Sequence, residues 1–452
     1  MDTKKLRQKI LDLAIRGKLV PQDPNDEPAS VLLERIRAEK EQLIKEGKIK
    51  RTKKSNASDT SHYENVPFEV PDGWCWTTLG EIGNWQAGAT PSRMRKDYYG
   101  GNIPWLKTGD LTDGYIYEIP ETITDKALEE TSVKLTPTGS VLIAMYGATI
   151  GKIGILTFPA TTNQACCACV DYKAVTQKYL FYFLLSHKEE FVKMGGGGAQ
   201  PNISKEKIIS TLIPIPPIAE QNRIADEIER LITFIETIDL NQAILEQYIK
   251  LCKERILDMA LSGKLIPQDQ DNEPAIELLR KINPSFTPAD NRHYENLPDS
   301  WEEVELGDVC QLFDGEKVRG KEFINLDVKY LRGSKDGSRL SSGKYVPENA
   351  LMILVDGENS GEVFTTPHEG YQGSTFKQLR ISSELNRDYV LLLIQRSREL
   401  LKDNKVGSAI PHLNKKLFKQ IHVPIPPYDE QSRIVRVVQD AMNKLDEILA
   451  DL

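Results

Sequence analysis

The sequence contains no long hydrophobic run, and this absence argues against a membrane-spanning helix. No stretch of about 18 apolar residues occurs without a charge. Residues 1–16 alternate Lys and Arg with Leu and Ile, and they lack the apolar core and the small-residue cleavage site of a signal peptide. We therefore expect a cytoplasmic protein with no membrane partner. Its length predicts roughly three structural units, at about 150 residues each.

Cysteine is scarce and does not form a metal-binding pattern. Three of the six cysteines, Cys166, Cys167 and Cys169, lie in one apolar run. No second pair of Cys or His residues completes a zinc site with them. We predict that they are buried in a strand and that the chain has no metal site.

Catalytic motifs are also missing. Residues 147–152 (GATIGK) have one residue too few between the glycines for a phosphate-binding loop, and Ile153 replaces its Ser or Thr. Residues 425–428 (IPPY) have isoleucine where amino-group methyltransferases need an Asn or Asp acceptor. We find no Ser/His/Asp set and no nuclease carboxylate cluster. His62 and His293 occupy matching positions outside the predicted domains, which favours a structural role. The sequence thus predicts no catalytic residue and no bound cofactor.

The net charge of −8 is unusual for a protein that binds DNA, because phosphate contacts require a basic surface. The acidic excess is not evenly distributed. Residues 77–215 contain 13 Lys/Arg and 13 Asp/Glu, and residues 302–423 contain 18 of each. Residues 219–260 contain 5 and 9. Two neutral regions can therefore each carry a basic loop, while the connecting segment is acidic.

An internal repeat is the main feature of the sequence. Three pairs of segments match in the same order: 10–29 with 256–275, 62–82 with 293–309, and 214–224 with 424–434. The first pair agrees at 13 of 20 positions, through G-K-L-[VI]-P-Q-D. The second passes from His-Tyr-Glu-Asn to P-D-x-W, and the third shares P-I-P-P-x-x-E-Q-x-R-I. Three collinear matches indicate two copies of one unit.

The segment between the copies predicts a long helix. Residues 220–262 contain neither Pro nor Gly, and their heptad seam of apolar residues has one polar interruption, at Gln242. The seam consists of Ile224, Ile228, Leu231, Ile235, Ile238, Leu245, Ile249, Cys252, Ile256 and Met259. Its second copy is split between the chain ends, at 434–452 and 6–13. We therefore predict that the N- and C-termini together form a second helix, antiparallel to the first in a coiled coil about a pseudo-twofold axis. The alternative is a surface helix packed on its own domain.

Each copy is expected to hold one α+β domain with a small, twisted, mostly antiparallel sheet. The predicted strands are 140–146, 153–158, 165–170, 351–355 and 376–381, and the predicted helices are 28–47, 177–192 and 388–401. The predicted boundaries are 1–17 for half of the split helix, 18–76 for a linker with an amphipathic helix, 77–215 for the first domain, 216–262 for the long helix, 263–300 for a second linker, 301–425 for the second domain and 426–452 for the other half of the split helix.

Polar loops of the two domains are candidates for contact with DNA. Asn and Gln can pair with adenine, and Arg or Lys with guanine or phosphate. The candidates in the first domain are Thr90, Arg93, Arg95, Lys96, Lys107, Asp110, Tyr146, Asn163, Gln164, Gln200, Asn202 and Lys205. Those in the second are Lys317, Arg319, Lys321, Arg332, Lys335, Lys377, His412, Asn414 and Lys415. The alternative for each one taken singly is a solvated loop side chain.

Over nearly its whole length the chain resembles the specificity subunits of bacterial type I restriction–modification systems. The resemblance rests on the repeated motifs, together with residues 88–91, 103–110, 163–164 and 195–205. The second domain departs from the pattern, since 371–376 (YQGSTF) stands where 163–165 stands in the first. The two domains should therefore read different sequences.

The resemblance implies two target recognition domains, each reading half of a bipartite site in double-stranded DNA, held apart by the paired helices. It also implies docking of two modification (methyltransferase) subunits and of restriction (endonuclease/translocase) subunits. S-adenosylmethionine, ATP and Mg²⁺ are expected on those partners, and none in this chain.

Two other hypotheses compete with this one. The first is a self-contained nuclease or methyltransferase, against which the missing motifs argue. The second is a protein-interaction scaffold that never touches DNA, which only the acidic charge favours.

Overall fold

The computed structural model describes residues 2–46, 66–171, 173, 175–196, 202–288, 293–294, 296–405 and 412–451. The chain divides into two compact units, Met1–Leu240 and Asn241–Leu452. Two residues singled out above, His62 and Gln200, lie outside the described ranges. Where the chain is described, no helix is both long and apolar enough to cross a bilayer.

The described part of the first unit contains ten short strands. They are β1 (Cys75–Thr78), β2 (Gly83–Ala87), β3 (Tyr99–Leu106), β4 (Gly114–Ile116), β5 (Thr122–Ile123), β6 (Val141–Ala144), β7 (Ile153–Leu156), β8 (Thr161–Thr162), β9 (Cys166–Asp171) and β10 (Leu212–Ile215). The main sheet has the order β2-β9-β6-β7-β4, a second sheet has the order β5-β3-β8, and β1 pairs with β10. All pairs are antiparallel except β4 with β7 and β3 with β8. The main sheet is therefore mixed only at its edge.

Its helices are α1 (Thr3–Ile15), α2 (Ala29–Lys45), α3 (Leu79–Ile82), α4 (Asp125–Glu130), α5 (Gln177–Ser186), α6 (Lys188–Gly195), α7 (Lys205–Ile209) and the first part of α8 (Ile218–Leu261). Short 3₁₀ turns cover Lys96–Tyr98, Thr108–Asp110 and Gly147–Thr149. The core joins α5 to one face of the main sheet, through Phe183, Leu184, Ile143 and Cys167. Burial raises the pKa of Cys167 to about 12, so its thiol is neutral and serves as packing, as predicted for these strand cysteines.

Nine strands occur among the described residues of the second unit. They are β11 (Glu302–Glu305), β12 (Cys310–Phe313), β13 (Lys317–Leu326), β14 (Arg339–Val346), β15 (Leu351–Leu354), β16 (Val363–Thr365), β17 (Gly370–Gln372), β18 (Phe376–Ile381) and β19 (His422–Ile425). Its helices are the end of α8, then α9 (Ala275–Ile282), α10 (Leu306–Val309), α11 (Val328–Leu331), α12 (Arg387–Arg396), α13 (Arg398–Asp403), α14 (Lys415–Gln420) and α15 (Tyr428–Ala450). The main sheet has the order β12-β18-β15-β16. Strands β13, β14 and β17 pair with one another, and β11 pairs with β19.

The two units follow one plan, which confirms the predicted α+β architecture with two similar domains. In each, a two-stranded pair begins and ends the domain, since β1·β10 corresponds to β11·β19. The main sheets share the order β2-β9-β6-β7 and β12-β18-β15-β16. A short strand lies parallel to the first strand of the smaller sheet in both units, as β8 to β3 and β17 to β13.

Two predicted helices are each divided in two. The helix predicted at 177–192 is α5 and α6, which meet at His187, and the one predicted at 388–401 is α12 and α13, which meet at Ser397. Ser397 Oγ donates a 2.9 Å hydrogen bond to the Leu393 carbonyl, four residues earlier. Such back-bonding competes with the helical hydrogen-bond ladder, so the pattern alone could not reveal the break.

The long helix predicted between the copies is α8, of 44 residues. At 1.5 Å per residue it is roughly 65 Å long. Its first part packs in the core of the first unit with α1, through Ile224, Ile228 and Ile10. Its last part packs in the core of the second unit with α15, through Leu257 and Val438. The antiparallel coiled coil and the joining of the chain ends stay predictions.

The repeated motifs meet in one cluster in each unit, which we call the joint. In the first unit the joint comprises Gln22, Trp74, Glu220 and Gln221, and in the second Gln268, Trp301, Glu430 and Gln431. Trp74 Nε1 and Gln22 Nε2 donate to the Glu220 carboxylate at 3.0 and 3.1 Å. In the second joint, Trp301 Nε1 instead donates to Gln268 Oε1 at 3.1 Å.

The glutamine of the Glu-Gln pair in each joint, Gln221 or Gln431, positions the starts of two helices. Gln221 Nε2 donates to the Pro216 carbonyl at 3.0 Å and its Oε1 accepts from the Thr176 N–H at 2.7 Å, just before α5. Gln431 does the same with Pro426 and Asn386, at 2.9 and 2.8 Å. This use of both ends of a buried amide explains why Glu-Gln recurs in both copies.

The glycine of the repeated Gly-Lys-Leu segment is required because its backbone adopts a left-handed conformation. Gly17 and Gly263 end their helices with φ of 65° and 70°. A Cβ on Gly17 would lie 2.3 Å from Pro71 Cγ, and one on Gly263 would lie 2.4 Å from Pro298 Cγ. Only glycine fits this left-handed position against the proline of P-D-x-W.

Candidate nucleic-acid interface

Several loops of the first unit lie at one end of its main sheet. Strand β2 ends at Ala87, opposite Cys167, and β6 ends at Ala144, opposite Cys166. The loops that follow these strands therefore lie beside the loop that precedes β9. We call this end, formed by residues 88–90, 145–146 and 163–165, the loop edge of the first unit.

Three of the predicted DNA contacts meet at this edge. Thr90 Oγ1 is hydrogen-bonded to Gln164 Oε1. Asn163 donates its backbone N–H to the Leu106 carbonyl at 2.9 Å, which places Lys107 next to it at the end of β3. A Cβ on Gly88 would lie 2.1 Å from the Thr162 carbonyl oxygen, so only glycine allows the two loops to approach so closely. Asn163 Oδ1 is buried without a hydrogen-bond partner among the described residues.

Tyr146 and Asn202 join the same edge through a backbone bridge. The Met145 N–H donates to the Ala165 carbonyl at 2.7 Å, and the Ile203 N–H donates to the Met145 carbonyl at 2.9 Å. The tyrosine side chain is 41% exposed and Asn202 is exposed. Both can therefore reach a ligand lying across the edge.

The two predicted arginines are held by carboxylates and aromatic rings. Arg93 forms an ion pair with Glu121 and lies over the rings of Tyr99 and Trp105, at 4.4 and 4.9 Å from their centroids. Lys107 Nζ lies 2.9 Å from the same Glu121. The Arg93 guanidinium, opposed by burial and helped by Lys107, lowers the pKa of Glu121.

Arg95 is paired in the same manner. Its guanidinium bonds both carboxylate oxygens of Asp97, at 2.9 and 2.8 Å, and it lies over the Tyr98 ring. Lys126 contacts Asp97 as well, at 2.9 Å. These contacts fix the shape of the loop at 91–98, and the side chains of Arg93 and Arg95 remain 55% and 46% exposed.

The other candidates of the first unit have separate positions. Lys96 is exposed and has no ion pair within the described ranges. Asp110 accepts a 2.8 Å hydrogen bond from the Lys107 N–H, so its carboxylate caps a 3₁₀ turn. Lys205 opens α7, directly after the N-cap Ser204.

The second unit has a corresponding loop edge, formed by residues 314–315, 355–356 and 373–375. Strand β12 ends at Phe313 opposite Gln378, and β15 ends at Leu354 opposite Phe376. Gly373 accepts from the Phe376 N–H at 3.0 Å, as Asn163 does from Cys166 at 3.1 Å. Glycine and Ser374 thus stand where the first unit has its Asn-Gln pair.

Asp314 organises the cations of this edge. Lys344 Nζ and Gln372 Nε2 lie 2.8 and 2.9 Å from its carboxylate, and Lys377 forms a third contact. Although burial opposes it, the ammonium groups of Lys344 and Lys377 lower the pKa of Asp314. The predicted contact Lys377 is therefore paired within the protein.

His412 forms an isolated backbone β-bridge with Asp356, as Asn202 does with Tyr146. The His412 Nδ1 atom also lies 2.6 Å from the Asp356 carboxylate. Asn414 Oδ1 accepts from the Leu417 N–H at 3.0 Å and so caps α14, which begins at Lys415. The edge thus combines one histidine with the start of a short helix.

The remaining candidates lie on or beside a basic two-stranded ribbon, β13·β14. Lys317, Arg319 and Lys321 are exposed and have no ion pair in the described part of this unit. The ribbon bends between Arg319 and Phe323, where Gly320 has a φ of 75°. Arg332 forms an ion pair with Glu362, and Lys335 is exposed in the segment that connects the two strands. A two-stranded ribbon of this kind fits the major groove of B-DNA.

Sequence reasoning missed the acidic partners of these side chains. Glu121, Asp97, Asp314 and Asp356 each bind one or more of the predicted contacts. The equal numbers of acidic and basic residues in each domain were the available signal. It also missed Met94, which is 94% exposed between the two paired arginines.

Within the described residues, one group of side chains has the composition of a metal site, His293, Glu303 and His422. Glu303 and His422 belong to the strand pair β11·β19, and His293 precedes it. Sequence reasoning assigned His293 a structural role and did not connect it with the other two.

Comparison with known proteins gives one consistent family. Residues 71–247 and 298–451 match the family described as type I restriction modification DNA specificity domain. The specificity subunit of the type I restriction enzyme EcoAI of Escherichia coli is 27% identical over 544 aligned positions, which cover 99% of this chain and 89% of that protein. The MjaIX specificity subunit of Methanocaldococcus jannaschii is 25% identical and covers 86% of this chain and 91% of its own length.

Solved structures share the fold. The HsdS subunit of Thermoanaerobacter tengcongensis superposes with a TM-score of 0.53 at 18% identity, covering 85% of this chain and 93% of that one. A chain from a structural study of complex assembly in a type I R-M system gives a TM-score of 0.57 at 16% identity, with 85% and 94% covered.

Proposed function

The chain belongs to the specificity subunits of type I restriction–modification systems, and we propose that it recognises a bipartite DNA target, with one half read by each unit. The observation that carries this proposal is the repeated loop edge. Each unit brings candidate base- and phosphate-contacting side chains to the corresponding end of its own main sheet.

The chemistry of the two edges supports readout of different sequences. The first edge offers the exposed amides of Gln164 and Asn202, which suit the hydrogen-bonding groups of adenine. The second offers His412, Lys377 and the basic ribbon of β13·β14, with Gly373 and Ser374 in place of the amides. Different side chains on one scaffold should read different half-sites, while the cations position the duplex.

The long helix supports docking of partner subunits. Large apolar side chains on α8 are exposed to solvent, with Phe234 63%, Leu240 60%, Tyr248 62% and Leu251 58% exposed. Exposed aromatic and aliphatic groups along one helix are typical of protein interfaces. We propose that modification subunits, and through them restriction subunits, cover these side chains. We further propose that this subunit performs no catalysis and that its partners carry S-adenosylmethionine, ATP and Mg²⁺.

Genome-wide mapping of methylated adenines tests the proposal. A bacterium that expresses this chain with its modification subunit should methylate one bipartite sequence, and a strain lacking the chain should not. Exchange of residues 77–215 for the same region of another specificity subunit should alter one half-site only. Alteration of both halves, or of neither, would contradict the assignment of one half-site to each unit.

The net charge of −8 favours one competing function, a scaffold that binds proteins and never DNA. A mobility-shift assay separates the two. The chain in complex with the modification subunit should bind its target duplex with an affinity that falls steeply with salt. Equal binding by the modification subunit alone would favour the scaffold.

A further inference from the structure

Three potential metal ligands from separate segments of the second unit converge. His293 precedes the recognition domain, Glu303 lies in β11 and His422 begins β19. His293 Nδ1 and His422 Nδ1 lie 2.9 and 2.8 Å from the same oxygen, Glu303 Oε1. The two imidazole rings are stacked, with centroids 3.7 Å apart.

The carboxylate is buried and held in place. The Glu303 side chain is 1% exposed, and its Oε2 accepts from the N–H groups of His293 and Tyr294 at 2.8 and 3.0 Å. These two N–H groups orient the carboxylate with Oε1 towards both imidazoles, which is how outer hydrogen bonds position a metal ligand.

From this geometry we propose that His293, Glu303 and His422 bind one Zn²⁺ ion, or a similar divalent transition-metal ion. Two imidazole nitrogens and one carboxylate oxygen form a ligand set that Zn²⁺ accepts, whereas Mg²⁺ and Ca²⁺ prefer oxygen ligands. With metal–ligand bonds of about 2.0–2.2 Å, the N···O separations of 2.9 and 2.8 Å correspond to N–metal–O angles of about 90°, so binding widens them by about 0.5 Å to reach the tetrahedral angle that Zn²⁺ prefers. Each imidazole binds through the lone pair of Nδ1 and keeps its proton on Nε2.

The ion acts as a clamp on the second domain. It joins the segment before the domain to β11 and β19, the two strands through which the chain enters and leaves it. His293 is 61% exposed, so the remaining coordination positions face solvent and take water. Since the ligands come from three segments, binding stabilises the folded unit over the unfolded chain.

The site is specific to the second unit. In the first unit, Trp76 occupies the position of Glu303 and Leu212 that of His422. Neither side chain can bind a metal. We therefore expect one ion per chain.

The test uses the untagged full-length chain, stripped with a chelator and titrated with Zn²⁺ by calorimetry. We expect saturable binding of one ion, no comparable binding of Mg²⁺, and an unfolding midpoint for the second unit raised by about 5–10 °C at a Zn²⁺ concentration 100-fold above Kd. Co²⁺ in place of Zn²⁺ should give a visible absorption spectrum typical of nitrogen and oxygen ligands.

His293→Gln and His422→Gln should each remove this binding and the shift of the midpoint. The matched control is His368→Gln, which changes a histidine bonded to Tyr330 elsewhere in the unit and should retain both. Because His293 is largely exposed, its variant should fold, and its metal-free unfolding midpoint verifies this. The proposal is overturned if Zn²⁺ does not bind saturably, or if the variants bind it as the wild type does. If Zn²⁺ has no effect on the wild type and the variants lower the metal-free unfolding midpoint, the three residues form a hydrogen-bonded cluster only, and the proposal is overturned.

Discussion

Trp74 Nε1 donates a 3.0 Å hydrogen bond to Oε2 of Glu220, across 146 residues of sequence. Glu220 is 1% exposed and accepts a second hydrogen bond from Gln22. Three repeated motifs therefore depend on one buried carboxylate. This dependence gives the first prediction.

Trp74→Phe should lower the free energy of unfolding of the first unit by about 1–3 kcal/mol, because the buried carboxylate loses a donor. Chemical denaturation measures the change. Trp76→Phe is the matched control, since Trp76 Nε1 has no hydrogen-bond partner in the described structure. An equal loss in both variants would show that ring packing, and not the hydrogen bond, is responsible.

Asn272→Asp should stabilise the second unit by about 1 kcal/mol, after allowance for partial exposure. In the first unit, Arg223 Nη2 lies 2.6 Å from Asp26, whereas the corresponding Arg433 Nη2 and Asn272 Nδ2 are buried without partners among the described side chains. Denaturant midpoints measure both this variant and Asp26→Asn, which should destabilise the first unit. A lower midpoint for Asn272→Asp would exclude pairing with Arg433.

Glu121→Gln should increase non-specific DNA affinity, because it releases Arg93 and Lys107 from their shared carboxylate. If both cations then contact phosphate, the slope of log affinity against log salt should steepen by about 2. Fluorescence anisotropy with a non-target duplex gives this slope. Glu118→Gln removes the same charge from an exposed residue without an ion pair in the described region. No difference between the two variants would argue against the role of the pair.

Lys317→Ala combined with Arg319→Ala should weaken binding to target and non-target DNA by similar factors. Both side chains are exposed on the ribbon, and phosphate contacts carry no sequence information. The salt slope should become shallower by about 2. Lys264→Ala, beside the joint, is the control and should leave the slope unchanged. A loss confined to the target duplex would instead indicate base contacts by the ribbon.

Asp314→Asn should make the second unit less sensitive to acid. The pKa of Asp314 is lower in the folded state, so its contribution to stability is complete above the unfolded value of about 3.9 and is lost as pH falls below it. Unfolding midpoints measured from pH 7 to pH 3 should fall further in the wild type than in this variant. Asp336→Asn, at an exposed position, should behave as the wild type does. Parallel curves for all three proteins would refute the linkage.

The sequence was sufficient to predict the repeated units because their shared motifs are structural. Gly17, Trp74 and Glu220 recur because backbone and buried hydrogen bonds leave few alternatives. The strand at 351–354 was visible as an apolar run, since its side chains pack in a core.

The candidate interface was less accessible. The sequence shows that Arg93 and Arg95 are basic, but it does not show that Glu121 and Asp97 form ion pairs with them. Convergence of Thr90 with Gln164, across 74 residues, depends on strand pairing that no local pattern encodes. The breaks at His187 and Ser397 were likewise hidden, because both segments keep helical spacing across them.

The separation of joint and loop edge has a consequence for inheritance. The motifs that build each joint flank the domain in sequence, at P-D-x-W before it and P-I-P-P after it. If the loop edges read DNA as proposed, a genetic crossover within these similar stretches would exchange one complete loop edge and leave the residues of the joint unchanged. New specificities would then arise by shuffling, without a change in the residues that hold the fold together.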